Sequence, residues 1–372
     1  MDLLEQAWQA QAQLVKNLDG AGTELLVRAL EPVFREAGFR QRLRTGVRNI
    51  LVIEPGGKAH GILLSGFLRE LRANHPGAHI TLLIRTEVFP LLELCPYVNE
   101  IFCLPDDGGL SFASLLELCS TKLWQRRFSL CFCLGRAEDA SWSLLLGYMS
   151  GARMRAGFKE GSGWDRLLTR AVLNPPELHH LVLQRAFLLQ NTGLAVKSKS
   201  LEVWYDAGDA AAAWDRLRGF AQGRRIFAVS AAECPAELLQ VLMEASDVCF
   251  VLLGDAALPV ESLLRRLPQE RVLDLTGQAG LREQLAVLGV ASVYAGGPGW
   301  LAQAASALQL PVLYVYAKSV DAGQFPWQTP AALAELSAGD WEAQARRACQ
   351  SLTGLCYVRT GAEIQHLQQK NS

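Results

Sequence analysis

Charge of one sign is what this chain lacks most clearly: 36 Lys and Arg stand against 37 Asp and Glu, a formal net charge of -1. A nucleic-acid partner would normally call for a basic face, so this balance gives it no support. No uninterrupted apolar stretch approaches the roughly 20 residues of a bilayer span. The opening Met1-Asp2-Leu3-Leu4-Glu5 carries acids where an export signal would carry bases. Both absences predict a cytosolic protein. The nine cysteines show no repeated metal-type spacing, and most, such as Cys131, Cys133 and Cys249, lie inside apolar runs, as reduced and buried thiols do. Cys131 and Cys133 sit two apart on a predicted strand and share a face, but no second Cys or His pair lies near them in sequence to complete a metal site. Low-complexity tracts are absent as well. Half the residues are apolar and a fifth are charged, which provides ample core for a globular protein.

At 372 residues the chain exceeds what one core usually holds, so two domains are expected. The segment Asn49 to Pro105 is the most informative, because it reads as a strand, loop, helix, strand unit with a glycine-rich corner. The apolar run Ile50 to Ile53 ends in the corner Glu54 to Gly61, and a helix-period segment, Ile62 to Arg72, follows. A second apolar run, Ile80 to Ile84, comes after the turn His75-Pro76-Gly77. So short a helical crossover between buried strands implies parallel pairing with a right-handed connection. In open parallel sheets ligands bind beyond the carboxyl ends of strands, which makes Gly56 to Gly61 the first place to look for function.

Residues 1–45 carry helical apolar spacing without strand signal and read as a helical extension that packs on the first domain or on a protein partner. From there, strands are predicted near 49–54, 79–84, 100–104, 129–134 and 153–158, with helices between them, including Ser141 to Ser150. A second alternating series opens after Ala207-Gly208-Asp209 with a helix over Ala210 to Phe220. Strands follow near 226–230, 248–253, 271–274, 292–295 and 311–316. Helices are predicted at 235–246, 258–266, 280–287 and 300–309, and closing helices over Trp341 to Thr353 and Glu363 to Gln369. The expected organisation is a helical extension (1–45), a first Rossmann-like domain (46–206), a second (207–340) and closing helices (341–372). Two doubly wound α/β domains of this kind are expected to face each other across a cleft.

The run Asn49 to Leu71 resembles the opening of glycosyltransferase family nine, the ADP-heptose lipopolysaccharide heptosyltransferases. The segments His75 to Ile80, Phe89 to Glu93 and Cys95 to Ile101 continue that likeness. In the second half, Val251 to Asp255, Asp274 to Gly277 with Leu281-Arg282-Glu283, and Ala304 to Leu313 are similar to the family's donor domain. The resemblance spans roughly residues 47–330. It implies a GT-B fold with the acceptor on the amino-terminal domain and a nucleotide sugar on the carboxyl-terminal one, with no metal. It further implies transfer of a heptose-like sugar to a lipid-linked or core-oligosaccharide hydroxyl, at the inner face of the membrane. A diphosphate leaving group in a metal-free site needs backbone N–H groups and a helix amino terminus to take up its charge.

The chain departs from that pattern where the chemistry lies. The family's Gly-Asp pair, whose Asp is the general base, is replaced by Ala59-His60. A histidine can accept a proton near neutral pH, so His60 is the candidate base, with helix capping or solvent contact as the alternative. Lys58 is a candidate anion contact or a plain loop lysine. Arg85 and Arg136 follow predicted strands and suit bidentate recognition of phosphate or carboxylate on the acceptor side, or a solvated role. Arg153, Arg155 and Lys159 form a weaker cluster of the same kind, and His179-His180 read as surface or capping residues.

On the donor side the family's Asp-Ser-Gly-Pro-x-His box has no Asp or His here. A glycine-rich turn remains before a helix, comprising Gly296, Gly297, Pro298, Gly299, Trp300 and Gln303, and it can bring backbone close to phosphate. Ser230, Gly254, Asp255 and Gly277 complete the candidate donor set. Trp300, Phe325 and Trp327 can stack on a base or sugar, or pack in the interior. The segment Val229 to Pro235 also has no Lys or Arg where the family presents a phosphate-facing Lys, and loss of the donor-side Asp, His and Lys leaves a rival reading open, a non-catalytic binding or scaffold protein. An unrelated sugar epimerase or phosphorylase is a third.

Overall fold

The structure, a computed structural model, describes residues 47–104, 112–136, 140–232, 247–255, 268–316, 323, 325–335, 343–344 and 346–347. The expected extension at 1–45, the helices at 235–246 and 258–266, and nearly all of the closing helices lie outside the described residues. The described residues form two compact units, one of residues 47–89 and Cys95–Lys199, the other of Pro90–Leu94 and the residues from Ser200 onward.

The first unit holds β1 (Asn49–Glu54), α1 (Lys58–Asn74), β2 (His79–Arg85), β3 (Glu100–Leu104), α2 (Phe112–Leu118), β4 (Leu130–Cys133), α3 (Ala140–Met149), β5 (Met154–Lys159), β6 (Arg170–Leu173) and α4 (Leu181–Asn191). Its six strands run in the order β3-β2-β1-β4-β5-β6, and every pairing is parallel. β1 and β2 are apolar on both faces because helices cover both, as a parallel sheet requires. Side chains alternate between those faces. Phe132 meets Phe67 of α1 edge to face at 5.1 Å, while its neighbours Cys131 and Cys133 turn toward α3 and pack against Gly147. Nine of the ten α3 residues are buried, so this helix needs cover on all sides, supplied by α2 and the turn around Trp164 and Leu167.

The second unit repeats the plan with α5 (Ala207–Leu217), β7 (Arg225–Ser230), β8 (Val248–Leu253), β9 (Val272–Asp274), α6 (Leu281–Val290), β10 (Val293–Gly296), α7 (Trp300–Ala307), β11 (Val312–Tyr316) and β12 (Ala331–Glu335). The order is β12-β11-β10-β7-β8-β9, again wholly parallel. β8 is buried at all six positions, which matches its unbroken apolar run Val248 to Leu253.

Two edge strands, β6 and β12, escape the sequence reading. β6 exposes three of its four residues, including Leu173, and its apolar run, Ala171 to Leu173, is only three residues long. β12 is Ala-Ala-Leu-Ala-Glu, a helix-favouring composition that pairing with β11 overrides. One helix start also moves. α5 begins at Ala207 instead of Ala210, because Asp206 and Asp209 form a reciprocal capping box that outweighs Gly208. Among the described residues no helix is long and apolar enough to cross a membrane.

Candidate functional site

In each sheet the strand order reverses at one point, between β1 and β4 in the first unit and between β7 and β10 in the second. Ligands of doubly wound sheets bind beyond the carboxyl ends of the strands at such a point.

At the first reversal, β1 ends in Glu54, and Pro55-Gly56-Gly57 turns directly into α1. Lys58 and His60 therefore lie on the first turn of the helix, not in the expected loop. Gly57 is the N-cap in extended backbone, and its carbonyl accepts from Gly61 N at 3.2 Å, so the helix begins at Lys58, ahead of Ile62 where the apolar period becomes visible. His60 is half-buried and its ring leans on Gly56. A Cβ on Gly56 would stand 2.5 Å from His60 Cγ, 2.7 Å from its Cβ and 2.8 Å from its Nδ1. Gly57 faces Glu87, whose Oε1 would lie 3.0 Å from an added Cβ.

Beneath this turn lies a buried ion pair. Glu54 Oε1 accepts from Gly56 N at 3.1 Å, and Glu54 Oε2 meets Arg185 Nη2 of α4. The other arm, Arg185 Nη1, donates to the His60 carbonyl at 3.1 Å. Burial pulls the Arg185 guanidinium below its ordinary value, and the Glu54 carboxylate opposes that pull. Arg85, from the end of β2, donates through Nε to the Pro55 carbonyl and so braces the same turn. Arg136, beyond β4, donates to Gln184 Oε1, and Gln184 is itself fixed through Nε2 to the Leu178 carbonyl at 2.6 Å. The structure thus gathers Lys58, His60, Arg85 and Arg136 around one turn. The weaker cluster does not stay together, although its odd-numbered positions share a strand face: Arg155 is buried, donating to the Leu167 and Ala152 carbonyls at 2.6 and 2.7 Å, while Arg153, before the strand, and Lys159, at its end, are exposed. His180 caps α4, its Nδ1 accepting from Val182 N at 3.2 Å.

At the second reversal, Ser230 ends β7 beside Gly296, which ends β10. A Cβ on Gly296 would sit 2.8 Å from Ser230 Cβ and 2.5 Å from Tyr294 Oη, so only glycine fits. Gly297, Pro298 and Gly299 then lead into α7, with Gly299 as an extended N-cap. Pro298, Gly299 and Trp300 are half-exposed, whereas Ser230, Gly296, Gly297 and Gln303 are buried. Gly254 and Gly277 bond each other, Gly277 N to Gly254 O at 3.1 Å, and their positive φ values of 145° and 64° suit glycine. Gly254 N also donates to Oε1 of the buried Gln284 at 3.1 Å, while Asp255 is exposed. Phe325 is half-buried and packs against Tyr314 and Tyr316 at 5.3 and 5.5 Å. Among the described residues, no group of three His, Cys, Asp or Glu side chains gathers to hold a metal.

Comparison with known proteins gives a divided result. No family model matches the sequence, and no curated protein matches it. Solved structures do match. A glycosyl transferase of family 9 from Veillonella parvula superposes with a TM-score of 0.72 at 16% identity, covering 82% of this chain and 97% of that one. The chain has the fold of family 9 glycosyltransferases. The ADP-heptose lipopolysaccharide heptosyltransferase II of E. coli gives 0.65 at 18% identity, covering 82% and 99%. E. coli heptosyltransferase WaaC, solved with ADP, gives 0.62 at 14% identity, again covering 82% and 99%. At these identities the likeness is one of fold, and the fold is GT-B.

Glu54, Gln184 and Arg185 belong to the site yet escape the sequence reading. The signal for two of them is a polar pair, Gln184-Arg185, set inside the apolar stretch Leu181 to Leu189. A charge at such a position needs a buried partner.

Proposed function

We propose that this protein is a glycosyltransferase that moves a heptose-like sugar from a nucleotide diphosphate donor to a hydroxyl of a lipopolysaccharide-core or other glycan acceptor. The observation that carries the reading is the glycine turn Gly296 to Gly299, set at the β7/β10 reversal and feeding the amino terminus of α7, in a chain that shares its fold with a heptosyltransferase solved with ADP. Backbone N–H groups at that turn would take up the charge of the departing diphosphate, so the step needs no metal. His60 would accept the proton of the attacking hydroxyl, and Lys58, Arg85 and Arg136 would hold an anionic part of the acceptor. Ser230 would donate to a phosphate oxygen, and Trp300 would stack on the base or sugar.

A second reading has its own support. The first turns of α1 and α7 carry no acidic residue, and the Gln303 side chain is buried, so a binding or scaffold protein on the same fold also fits. Calorimetric titration and thermal shift with nucleoside diphosphates and nucleotide sugars separate the two. Saturable binding that disappears in Gly299→Trp supports the transferase, and turnover that disappears in His60→Ala supports the assigned base. Absence of binding across the panel overturns the transferase reading. A ligand carried through purification, identified by mass spectrometry, would name the donor.

A further inference from the structure

The Glu54–Arg185 pair is sealed from water, with side chains 2% and 6% exposed, whereas the Arg126–Glu100 pair of the same unit is 28% and 25% exposed. Burying two charges is costly, and replacing such a pair with apolar groups of similar size is often neutral or stabilising. Stability alone therefore gives little reason for this pair to stand at a topological reversal.

Its connections give a better one. Glu54 holds Gly56 N at 3.1 Å, and Arg185 holds the His60 carbonyl at 3.1 Å, so the pair closes a ring around the turn from β1 into α1. Gly56 in turn is the surface against which the His60 ring rests. The backbone on both sides of the imidazole and the floor beneath it are thus referred to one buried anchor.

We infer that Glu54 and Arg185 are positioning residues for His60, fixing the imidazole through the Gly56 amide and the His60 carbonyl while touching no substrate themselves. The inference rests on the reading of His60 as the general base. A base must stand within hydrogen-bond reach of its proton, and displacement of about 1 Å can cost on the order of a hundredfold in rate. The other charged groups around the turn are Lys58, Arg85, Glu87 and Arg136, each partly exposed where the pair is buried.

The test compares the full-length chain with a Glu54→Gln/Arg185→Met double variant and with a Glu100→Gln/Arg126→Met control, which removes an ion pair elsewhere in the unit. The readouts are the imidazole cross-peaks of His60, assigned by comparison with His60→Gln, and hydrogen exchange at the Gly56 amide. In the folded double variant the His60 peaks are expected to move, and Gly56 exchange to quicken about tenfold or more, with both unchanged in the control. Where turnover is measured, kcat should fall about tenfold to a hundredfold with the donor KM within about twofold. Unchanged His60 and Gly56 signals in the folded double variant, or equal movement in the control, would overturn the positioning role. Should the double variant not fold, Arg185→Lys, which keeps the charge but loses the two-armed reach, must move the same signals. A wild-type chain without turnover would remove the transferase reading, and the spectroscopic readouts would still decide this one.

Discussion

Replacing Gly56 by alanine should disturb the candidate site without touching its chemistry. The backbone of Gly56 is not left-handed, so the obstacle is space alone. The new methyl would stand 2.5 Å from His60 Cγ and 2.7 Å from His60 Cβ, distances that real Cβ atoms do not tolerate. A turn about χ1 would free Cγ but leave His60 Cβ in place, so His60 can yield only by shifting backbone that Glu54, Arg185 and the Gly57 carbonyl hold. Overpacking of this kind costs about 1–3 kcal/mol. At about 2–4 °C per kcal/mol for a unit of this size, the melting temperature should drop by about 2–12 °C. Gly77→Ala is the control, because nothing lies within 4 Å of its added Cβ and its φ is not positive. That variant should be neutral or more stable by about 0.4–1 kcal/mol. Scanning calorimetry with histidine NMR would check both. A Gly56→Ala protein as stable as Gly77→Ala, with an undisturbed His60 spectrum, would refute the packing argument.

Three other outcomes follow from the same packing. Arg185→Met alone leaves a buried carboxylate without its partner and should cost about 3–5 kcal/mol in urea unfolding, against about 1 kcal/mol or less for Arg126→Met at its partly exposed pair; equal losses would contradict the burial difference. The hydrogen bond from Arg126 holds the Glu100 carboxyl below its ordinary 4.5, so the unfolded chain binds the proton more readily. That stability is present above about pH 4.5 and is lost as the pH falls through the folded value. Glu100→Gln should therefore show a shallower acid loss than wild type in unfolding curves between pH 6 and 3 (about the carboxylate range), and matching slopes would count against the pair. Burial pushes the Cys119 thiol up to about 12 and raises Cys131 as well, whereas Cys103 is exposed on edge strand β3. Peptide mapping after brief iodoacetamide treatment near neutral pH should find label on Cys103 and little on Cys119 or Cys131; the reverse order would discredit the assigned core.

How much of this was written in the chain depends on range. Glu54 to Gly57 after four buried apolar residues marked the corner at the first reversal, and Gly296 to Gly299 marked the second, because glycine and short apolar runs act on their own neighbours. The same locality misplaced the start of α1, since Lys58, Ala59 and His60 have no apolar period to announce a helix. It also hid β6 and β12, whose strand state comes from the neighbour they pair with. Arg185 shows the limit most plainly. Its partner Glu54 is 131 residues away, and no spacing rule spans that distance.

The sequence by itself determined the alternation of buried strands and amphipathic helices, the parallel pairing and the two glycine corners, because these follow from side-chain period and backbone freedom within a few residues. Tertiary structure decided the order of the strands, which sets where each sheet reverses, and it decided what stands beneath the His60 turn. A buried charge is tolerable only where folding delivers its counter-charge, and only the packed arrangement of α4 against α1 brings the Arg185 guanidinium to the end of β1.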